Sequence, residues 1–245
     1  MTPSTRPHPL VRTARALTGP QRSDAQDAAL ATILAAIAGA ANAGGFFALG
    51  QYTSHMTGYL SQLADNLAML NLKIAFIGLV AIGAFMAGAA FSTVLINWAR
   101  HYTAHQQYSL PLAVQGGLML CFAFGGVFTS DAGRLFALAC LCFIMGMQNA
   151  TITKISGARI RTTHATGMIT DIGIELGRAT FGLFQPRSGA GADRPKLALL
   201  LRLVLAFLVG GIVGAIGYSQ IGFFFSLPLA AVLLTISLPA LWSKD

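Results

Sequence analysis

Residues 54–67 read SHMTGYLSQLADNL and separate two long apolar stretches of the chain. The segment carries hydroxyl, imidazole, amide and carboxylate groups, although the whole chain is 55% hydrophobic and only 10% charged. Residues 162–176 (TTHATGMITDIGIEL) repeat the pattern H-x-T-G directly after another apolar stretch. A polar pattern that occurs twice in the same surroundings indicates two related units in one chain.

The composition is typical of a membrane protein. Soluble domains carry about 25% charged residues, and a helix needs ~20 apolar residues to cross a bilayer. Apolar stretches of suitable length fall at residues 28–49, 74–98, 110–129, 134–151, 197–217 and 221–242. The predicted fold class is therefore all-α, a polytopic membrane helix bundle with six long spans and two short polar or broken helices.

The chain is predicted to have one folded domain after a tail. Residues 1–26 are rich in Pro, Thr and Arg, with no acidic residue before Asp24, which predicts a disordered basic tail in the cytoplasm. Residues 27–242 are predicted to form a single transmembrane domain. Within it, repeat 1 covers residues 27–130 and repeat 2 covers residues 132–242, both approximately.

Charge and cysteine usage limit the partners and cofactors. The net charge of +8 is explained by Lys and Arg residues that orient the protein in the membrane. The sequence has no basic stripe with interleaved aromatic residues, so nucleic-acid binding is not predicted. The expected partners are the lipid bilayer and an unidentified small-molecule or ionic solute, and a homo-oligomer is left open. Cys121, Cys140 and Cys142 have neither zinc nor redox spacing, so we expect no metal, cofactor or disulfide.

Three pairs of segments match in the same order: GAANA (39–43) with GMQNA (146–150), SHMTG (54–58) with THATG (163–167), and AFMAGAAFS (84–92) with AFLVGGIVG (206–214). The offset between partners grows from 107 to 122 residues, which places small insertions in the second copy. Internal duplication is common among transporter folds. Chance similarity between apolar segments is the alternative.

The number of crossings decides how the two copies are oriented. If neither polar segment crosses the membrane, each copy has three spans and the second copy is inverted. If both cross, the chain has eight spans and the copies are parallel. With the N-terminus inside, six spans leave only two basic residues outside, Lys73 and Arg134, whereas eight spans leave four there, Arg100, Lys154, Arg159 and Arg161. The positive-inside bias favours the inverted arrangement, with both termini in the cytoplasm.

The H-x-T-G segments are predicted to open helices at Thr57 and Thr166, because Thr is a good N-cap. The following residues, Gly58 and Gly167, allow a backbone or a ligand to come close. A helix that begins inside the protein directs free N–H groups and its positive dipole end at what lies ahead. Two such beginnings near the midplane would bind an anion or a dipole. In the competing interpretation, these residues only supply hydrogen bonds to the polar groups of irregular backbone inside the membrane.

The candidate solute-binding residues lie in or beside the matched segments: Asn42, Ser54, His55, Thr57, Gly58, Gln148, Asn149, Arg161, Thr163, His164, Thr166 and Gly167. Asp65 and Asp171 are candidates for proton coupling, because an ionisable group is costly to hold in a membrane. An interfacial position is the alternative for both. Glu175 and Arg178 are three residues apart and are predicted to form an ion pair in the headgroup region. No catalytic residue is predicted.

The matched residues resemble the YoaK family of bacterial inner-membrane proteins, whose function is unknown. The resemblance extends from about residue 25 to 240 and is carried by SHMTG (54–58), MGMQNA (145–150) and RTTHATG (161–167). The family usually has Asn after the first T-G, where this chain has Tyr59. The resemblance implies a multi-pass protein of the bacterial inner membrane and supplies no substrate.

These patterns favour a small transporter or channel-like protein for a small polar or anionic solute, with its site at the repeat interface. The alternatives are a membrane scaffold or regulatory protein without a pathway, and an intramembrane enzyme that uses His. The chain contains no phosphate-binding loop, dinucleotide-binding motif or HExxH zinc motif. An enzyme is therefore the least favoured interpretation.

Overall fold

A computed structural model describes residues 9–19, 22–103, 106–127, 129–155, 165–185 and 191–242. Its helices are α1 (Pro9–Thr18), α2 (Asp24–Leu49), α3 (Met56–Ala68), α4 (Leu72–Tyr102), α5 (Ser109–Phe122), α6 (Asp131–Ile155), α7 (Ala165–Phe184), α8 (Arg194–Ile221) and α9 (Ser226–Leu241). Short 3-10 turns follow α5 and precede α9. The described residues contain no strand, so the predicted all-α class is confirmed for them.

Within the described ranges, five segments are long and apolar enough to cross a membrane: Asp24–Phe47, Leu72–Tyr102, Ser109–Val127, Asp131–Ile155 and Arg194–Leu241. These segments indicate an integral membrane protein. The last one has 48 residues and contains α8 and α9, which are separated at Gly222. The φ angle of Gly222 is 56°, a left-handed conformation that favours glycine. Since one crossing takes ~20 residues, this segment is long enough for two.

The ends of α2 follow from local sequence signals. The Ser23 hydroxyl accepts from the Gln26 backbone N–H, and the Gln26 side chain accepts from the Ser23 backbone N–H at 2.8 Å. This capping box satisfies two N–H groups that the helix itself leaves unpaired. At the other end, Gly50 takes a left-handed conformation with φ of 74° and terminates the helix. The chain then turns towards the polar segment that precedes α3.

The helices α4 and α6 run in parallel and touch backbone to backbone. A methyl group at Gly88 of α4 would overlap the carbonyl oxygen of Phe143, and one at Gly146 of α6 would overlap that of Phe85. Near the beginnings of both helices, Lys73 and Asp131 form an ion pair at 3.2 Å. About 20 residues further along each helix, the hydroxyls of Ser92 and Thr151 lie 2.8 Å apart, so the two helices run in the same direction. Small residues at such contacts allow close helix packing in lipid.

The helices α2 and α8 repeat this contact with equivalent residues. A methyl group at Gly39 would overlap the carbonyl oxygen of Phe207, and one at Gly210 would overlap that of Ala36. Gly39 and Ala36 lie 107 positions before Gly146 and Phe143, and Gly210 and Phe207 lie 122 positions after Gly88 and Phe85. These are the offsets of the sequence matches. The two close helix contacts are therefore made by the same pairs of matched positions.

The helices α5 and α9 begin with the same five residues and run in opposite directions. SLPLA occurs at residues 109–113 and again at 226–230, where each copy opens a helix. The Gln106 amide, just before α5, donates to the Leu241 carbonyl at the end of α9 at 3.1 Å. The rings of Phe122 and Phe223, at the opposite ends, lie 5.1 Å apart. Sequence analysis missed this fourth match.

The helix α3 is short and reaches only part of the way along α4. It has 13 residues, whereas α4 has 31. A methyl group at Gly78, the seventh residue of α4, would lie 3.5 Å from the Tyr59 carbonyl oxygen, which places Tyr59 beside the first third of α4. Since α3 ends shortly before α4 begins, the two helices run in opposite directions. The first turn of α3 reaches further along α4, because Thr57 lines a cavity together with Phe85 and Ala89 in the middle of that helix.

The structure differs from the predicted disorder of residues 1–26, because Pro9–Thr18 form α1 and α2 already begins at Asp24. The side chains of Val11, Ala14 and Leu17 follow one another at helical spacing. Leu17 is buried in the core, and the Arg15 guanidinium donates to the Pro239 carbonyl oxygen of α9 at 3.1 Å. Packing against α9 thus stabilises a segment whose Arg and Pro content indicated a tail. Residues 1–8, 20 and 21 lie outside the described ranges.

Candidate functional site

A polar cavity of about 550 Å³ lies where the first turns of α3 and α7 approach α4 and α6. We call it the central cavity. The first H-x-T-G segment contributes Ser54, His55, Met56 and Thr57 to its wall, and the second contributes Ala165 and Thr166. His55, Thr57 and Thr166 are exposed, as expected for side chains that face an open space. The two matched segments therefore meet at one place, although more than 100 residues separate them in the sequence.

Both helices have already begun before the residues that were predicted to cap them. α3 starts at Met56 with His55 at the N-cap position, where the His55 side chain makes no capping hydrogen bond, and α7 starts at Ala165. The predicted capping roles of Thr57 and Thr166 are thus wrong, because both residues already belong to a first turn. The first N–H groups of an α-helix have no acceptor within the helix. Their partners must come from elsewhere, including a bound ligand.

The space at Gly58 is filled by the imidazole of His55. A methyl group at Gly58 would overlap this ring, so glycine is required for the ring to fold back over the first turn of α3. The prediction that Gly58 admits a ligand or another backbone is therefore corrected. Gly58 instead sets the position of His55 at the cavity wall.

Asn42 holds the residue before His55 in place. Its side-chain oxygen accepts from the backbone N–H of Ser54 at 3.0 Å and from the Ser54 hydroxyl at 2.9 Å. Since Asn42 belongs to α2, these two hydrogen bonds attach the polar segment to that helix. The structure places Asn42 behind the cavity wall, as a positioning residue.

Asn149 and Gln148 are neighbours in α6 with different surroundings. Asn149 lines the central cavity, and its buried side-chain oxygen accepts no hydrogen bond from the described residues. Gln148 is fully buried and faces α2, where its amide donates to the Leu34 carbonyl oxygen. Of this pair, only Asn149 can meet a solute in the cavity. Thr163, the matched counterpart of Ser54, lies outside the described residues, as do Arg161 and His164.

Sequence reasoning missed the contribution of α4 to the cavity and, apart from Asn149, that of α6. Phe85 and Thr93 of α4, and Thr153 and Lys154 of α6, line its wall. Lys154 is exposed and has no ion-pair partner within the described ranges. The two threonines stand out as hydroxyl residues in apolar helices, which is a signal that the sequence already contained. Lys154 was explained only by membrane orientation.

Comparison with known families gives one match. A family model described as "Protein of unknown function (DUF1275)" matches residues 30–239. The chain belongs to this family. The match runs from α2 to α9 and includes both segments that line the central cavity, so the predicted resemblance to an uncharacterised family is confirmed. No curated protein and no solved structure matches the chain.

The two candidate proton-coupling residues of this DUF1275 protein lie away from the cavity wall. Asp65 is exposed and follows Thr57 by eight residues, which is about 12 Å along α3. The Asp171 carboxylate of α7 lies 3.8 Å from the ammonium of Lys196. Gly167 belongs to the first turn of α7, beside Thr166.

A buried carboxylate joins α7 to the beginning of α8. Glu175 is 1% exposed and accepts from the Asp193 backbone N–H at 2.9 Å. The nitrogen atoms of Arg178 and Lys196 each approach its carboxylate to 3.4 Å, so the predicted Glu175–Arg178 pair is confirmed. The Asp193 hydrogen bond, with help from the two cations, holds the pKa of Glu175 below its usual value despite the opposing effect of burial.

The Glu175→Gln variant is expected to lose part of the acid sensitivity of the DUF1275 fold. Because the pKa of Glu175 is lowered in the folded protein, the ionised carboxylate stabilises the fold at any pH above the ordinary Glu pKa of about 4.3. This stability disappears as the pH falls through the lower folded-state pKa. The unfolding temperature in detergent should therefore fall more steeply in wild type than in Glu175→Gln below that pH. Asp65→Asn, which changes an exposed carboxylate, is the control. Identical acid profiles of wild type and Glu175→Gln would contradict the assignment.

A larger cavity, of about 700 Å³, lies between α4, α5 and α6. Apolar side chains line it, among them Phe122, Phe136 and Phe143. None of its described lining residues has a charged or amide side chain, so these residues offer no means to recognise a polar solute. The central cavity is therefore the better candidate for the functional site.

Proposed function

We propose that this DUF1275 protein is an integral membrane transporter or channel-like protein for a small polar or anionic solute. The observation that carries the proposal is the single cavity at which the first turns of α3 and α7 meet beside Asn149 and Lys154. Its volume of about 550 Å³ falls within the ~300–1,000 Å³ range of small-molecule sites. The solute site lies between the two matched halves of the chain.

We propose six crossings arranged as two inverted copies in the bacterial inner membrane, with both termini in the cytoplasm. The repeated glycine contacts and the opposite directions of α5 and α9 support this arrangement. The helices α3 and α7 then enter the membrane and return to the same side. Irregular backbone at membrane depth is tolerated where it lines a polar cavity, and broken helices at the midplane are typical of transporters with inverted repeats.

The chemistry of the cavity wall favours an anion. Two helix beginnings supply backbone N–H groups and the positive ends of their dipoles, and Lys154 adds a full positive charge. The hydroxyls of Thr57 and Thr166 can donate further hydrogen bonds. Asn149 supplies an acceptor that the described residues leave unused. A small anion that also carries a hydrogen-bond donor would satisfy all of these groups.

The cavity also favours a pathway over a purely structural role. In a scaffold, the polar groups of the H-x-T-G segments would be bonded to one another without an intervening void. Instead, His55, Thr57 and Thr166 are exposed around a cavity of about 550 Å³. Among the described side chains of these segments, Ser54 alone has the expected structural bonds, to Asn42.

A flux screen tests the proposed function. Purified protein in proteoliposomes is expected to carry at least one of chloride, formate and phosphate faster than protein-free liposomes do. In His55→Ala and Thr166→Val, the flux should fall about tenfold, since one hydrogen bond to a charged solute contributes ~1.5–3 kcal/mol.

The matched controls remove the same groups elsewhere. His101→Ala removes an exposed imidazole at the end of α4, and Thr180→Val removes an exposed hydroxyl whose hydrogen bond goes to Leu176 of its own helix. Both controls should keep full flux. Full flux of every tested anion in His55→Ala and Thr166→Val as well would refute the proposed site.

A further inference from the structure

A second polar cavity, of about 410 Å³, lies at the beginnings of α4 and α6. Charged residues at its wall are Lys73, Asp131 and Arg134. Lys73 and Asp131 form an exposed ion pair at 3.2 Å, whereas the Arg134 guanidinium has no ion-pair partner within the described residues. Counted over the described lining residues, the second cavity therefore carries one uncompensated positive charge, as does the central cavity at Lys154.

The two cavities lie in line along the same pair of helices. On α4, the second cavity ends at Ile77 and the central cavity begins at Phe85. On α6, the corresponding limits are Leu138 and Asn149. Since α4 and α6 run in parallel, the intervals face each other. The separation is eight residues along α4, or about 12 Å.

An apolar cluster fills the interval between the cavities. Tyr59, Ala81, Leu138 and Cys142 form its core, and none of them is more than 4% exposed. We call these four residues the Tyr59 barrier. Leu138 of the barrier also lines the second cavity, and Phe85 of the central cavity packs against the barrier. The barrier thus contacts both cavities and separates them.

We propose that the two cavities are the two ends of one anion pathway, which the Tyr59 barrier closes in the conformation described. The inference rests on the proposed transport function and adds a second anion site, at Arg134, and the position of the closure. Apolar constrictions close pathways because water and ions leave them. Tyr59 has the largest side chain of the four, so it makes the largest contribution to the closure.

The buried thiol of Cys142 reports on the barrier without knowledge of the solute. In a background with Cys121→Ser and Cys140→Ser, Cys142 is the remaining cysteine of the chain. The probe is 2-sulfonatoethyl methanethiosulfonate, a small anionic thiol reagent, added to the protein in proteoliposomes. Because access limits the reactivity of a buried cysteine, Cys142 is expected to stay unmodified in this background.

Shortening Tyr59 should expose Cys142 to the probe. We expect Tyr59→Ala to raise the modification rate at least about tenfold, because access to the thiol limits it. Tyr59→Phe, which keeps the ring, and Leu60→Ala, which shortens a neighbouring side chain that is 57% exposed, should leave Cys142 protected. If Tyr59→Ala fails to elute as a single species in gel filtration, Leu138→Ala opens the same barrier from α6 and carries the same expectation.

Different outcomes separate this inference from the proposed function. A protected Cys142 in folded Tyr59→Ala or Leu138→Ala, or a freely reactive Cys142 in the Tyr59→Phe background, overturns the barrier. If wild type carries an anion while Cys142 stays protected in the opened variants, transport stands and the barrier fails. If the opened variants expose Cys142 but neither they nor wild type carry chloride, formate or phosphate, the barrier stands and the proposed function fails for these anions.

Discussion

Gly88→Ala should lower the unfolding temperature of the detergent-solubilised protein by several degrees. The added methyl group would overlap the carbonyl oxygen of Phe143, and this atom belongs to the backbone of α6, so no side-chain rotation can relieve the clash. Forcing a methylene-sized group into a well-packed interior costs ~1–3 kcal/mol. The helices must therefore move apart, and the contacts along both are weakened. Heating curves that follow the tryptophan fluorescence, which comes from Trp98 in α4 and from Trp242 after α9, measure the effect.

The same helix offers a matched control. Gly83→Ala adds the same methyl group five residues earlier, where no atom lies within 4 Å, and should leave the unfolding temperature almost unchanged. Gly210→Ala, at the equivalent position of α8, should resemble Gly88→Ala because its methyl group would overlap the Ala36 carbonyl oxygen. Equal unfolding temperatures for Gly88→Ala and Gly83→Ala would show that the α4–α6 contact is not as close as described.

Lys154→Glu is expected to reduce anion flux by about tenfold or more, since a change of 1.4 kcal/mol is already tenfold. The substitution replaces a positive charge at the cavity wall with a negative one, which repels the proposed solute. Because Lys154 is exposed, salt should screen the effect. Initial flux rates of wild type and variant in proteoliposomes, compared at low and high concentrations of an impermeant salt, measure both the loss and its screening.

Lys154→Arg separates charge from shape. Arg keeps the positive charge on a side chain of similar length, so this variant should retain most of the flux. If Lys154→Arg and Lys154→Glu lose the same fraction, the charge of residue 154 is not what the solute recognises. A higher flux in Lys154→Glu would instead indicate a cationic solute.

The sequence predicted only some of the residues that line the central cavity, because contacts between distant segments of the chain bring these residues together. The H-x-T-G pattern identified His55, Thr57 and Thr166 as its residues, and the match to Asn149 added another. The exact start of α3 could not be read from the Thr preference for N-caps, since the bonds from Ser54 to Asn42 of α2 hold the preceding chain. Thr93 and Lys154 became cavity residues only because α4 and α6 pack against the first turn of α3.

The short helix α1 shows the same dependence on tertiary contacts. An isolated helix of 10 residues is not stable in water, because nucleation costs more than so few hydrogen bonds return. The sequence therefore indicated a tail, and the packing of Leu17 and the Arg15–Pro239 hydrogen bond made a helix of it. Conversely, the SLPLA match was visible in the sequence at residues 109–113 and 226–230, but short apolar matches are common among membrane helices.

By itself, the sequence determined that this is a helical protein with apolar segments long enough to cross a membrane and with matching motifs in its two halves. These properties depend on local composition, on the lengths of apolar stretches and on repeated motifs, all of which a linear chain displays. Only the tertiary structure decided which polar side chains share a cavity, that Asn42 positions Ser54, and that Tyr59 lies between two cavities. Such relations arise from the packing of helices that are far apart in the sequence. The close helix contacts at Gly88 and Gly210 determine which of the nearby residues touch each other.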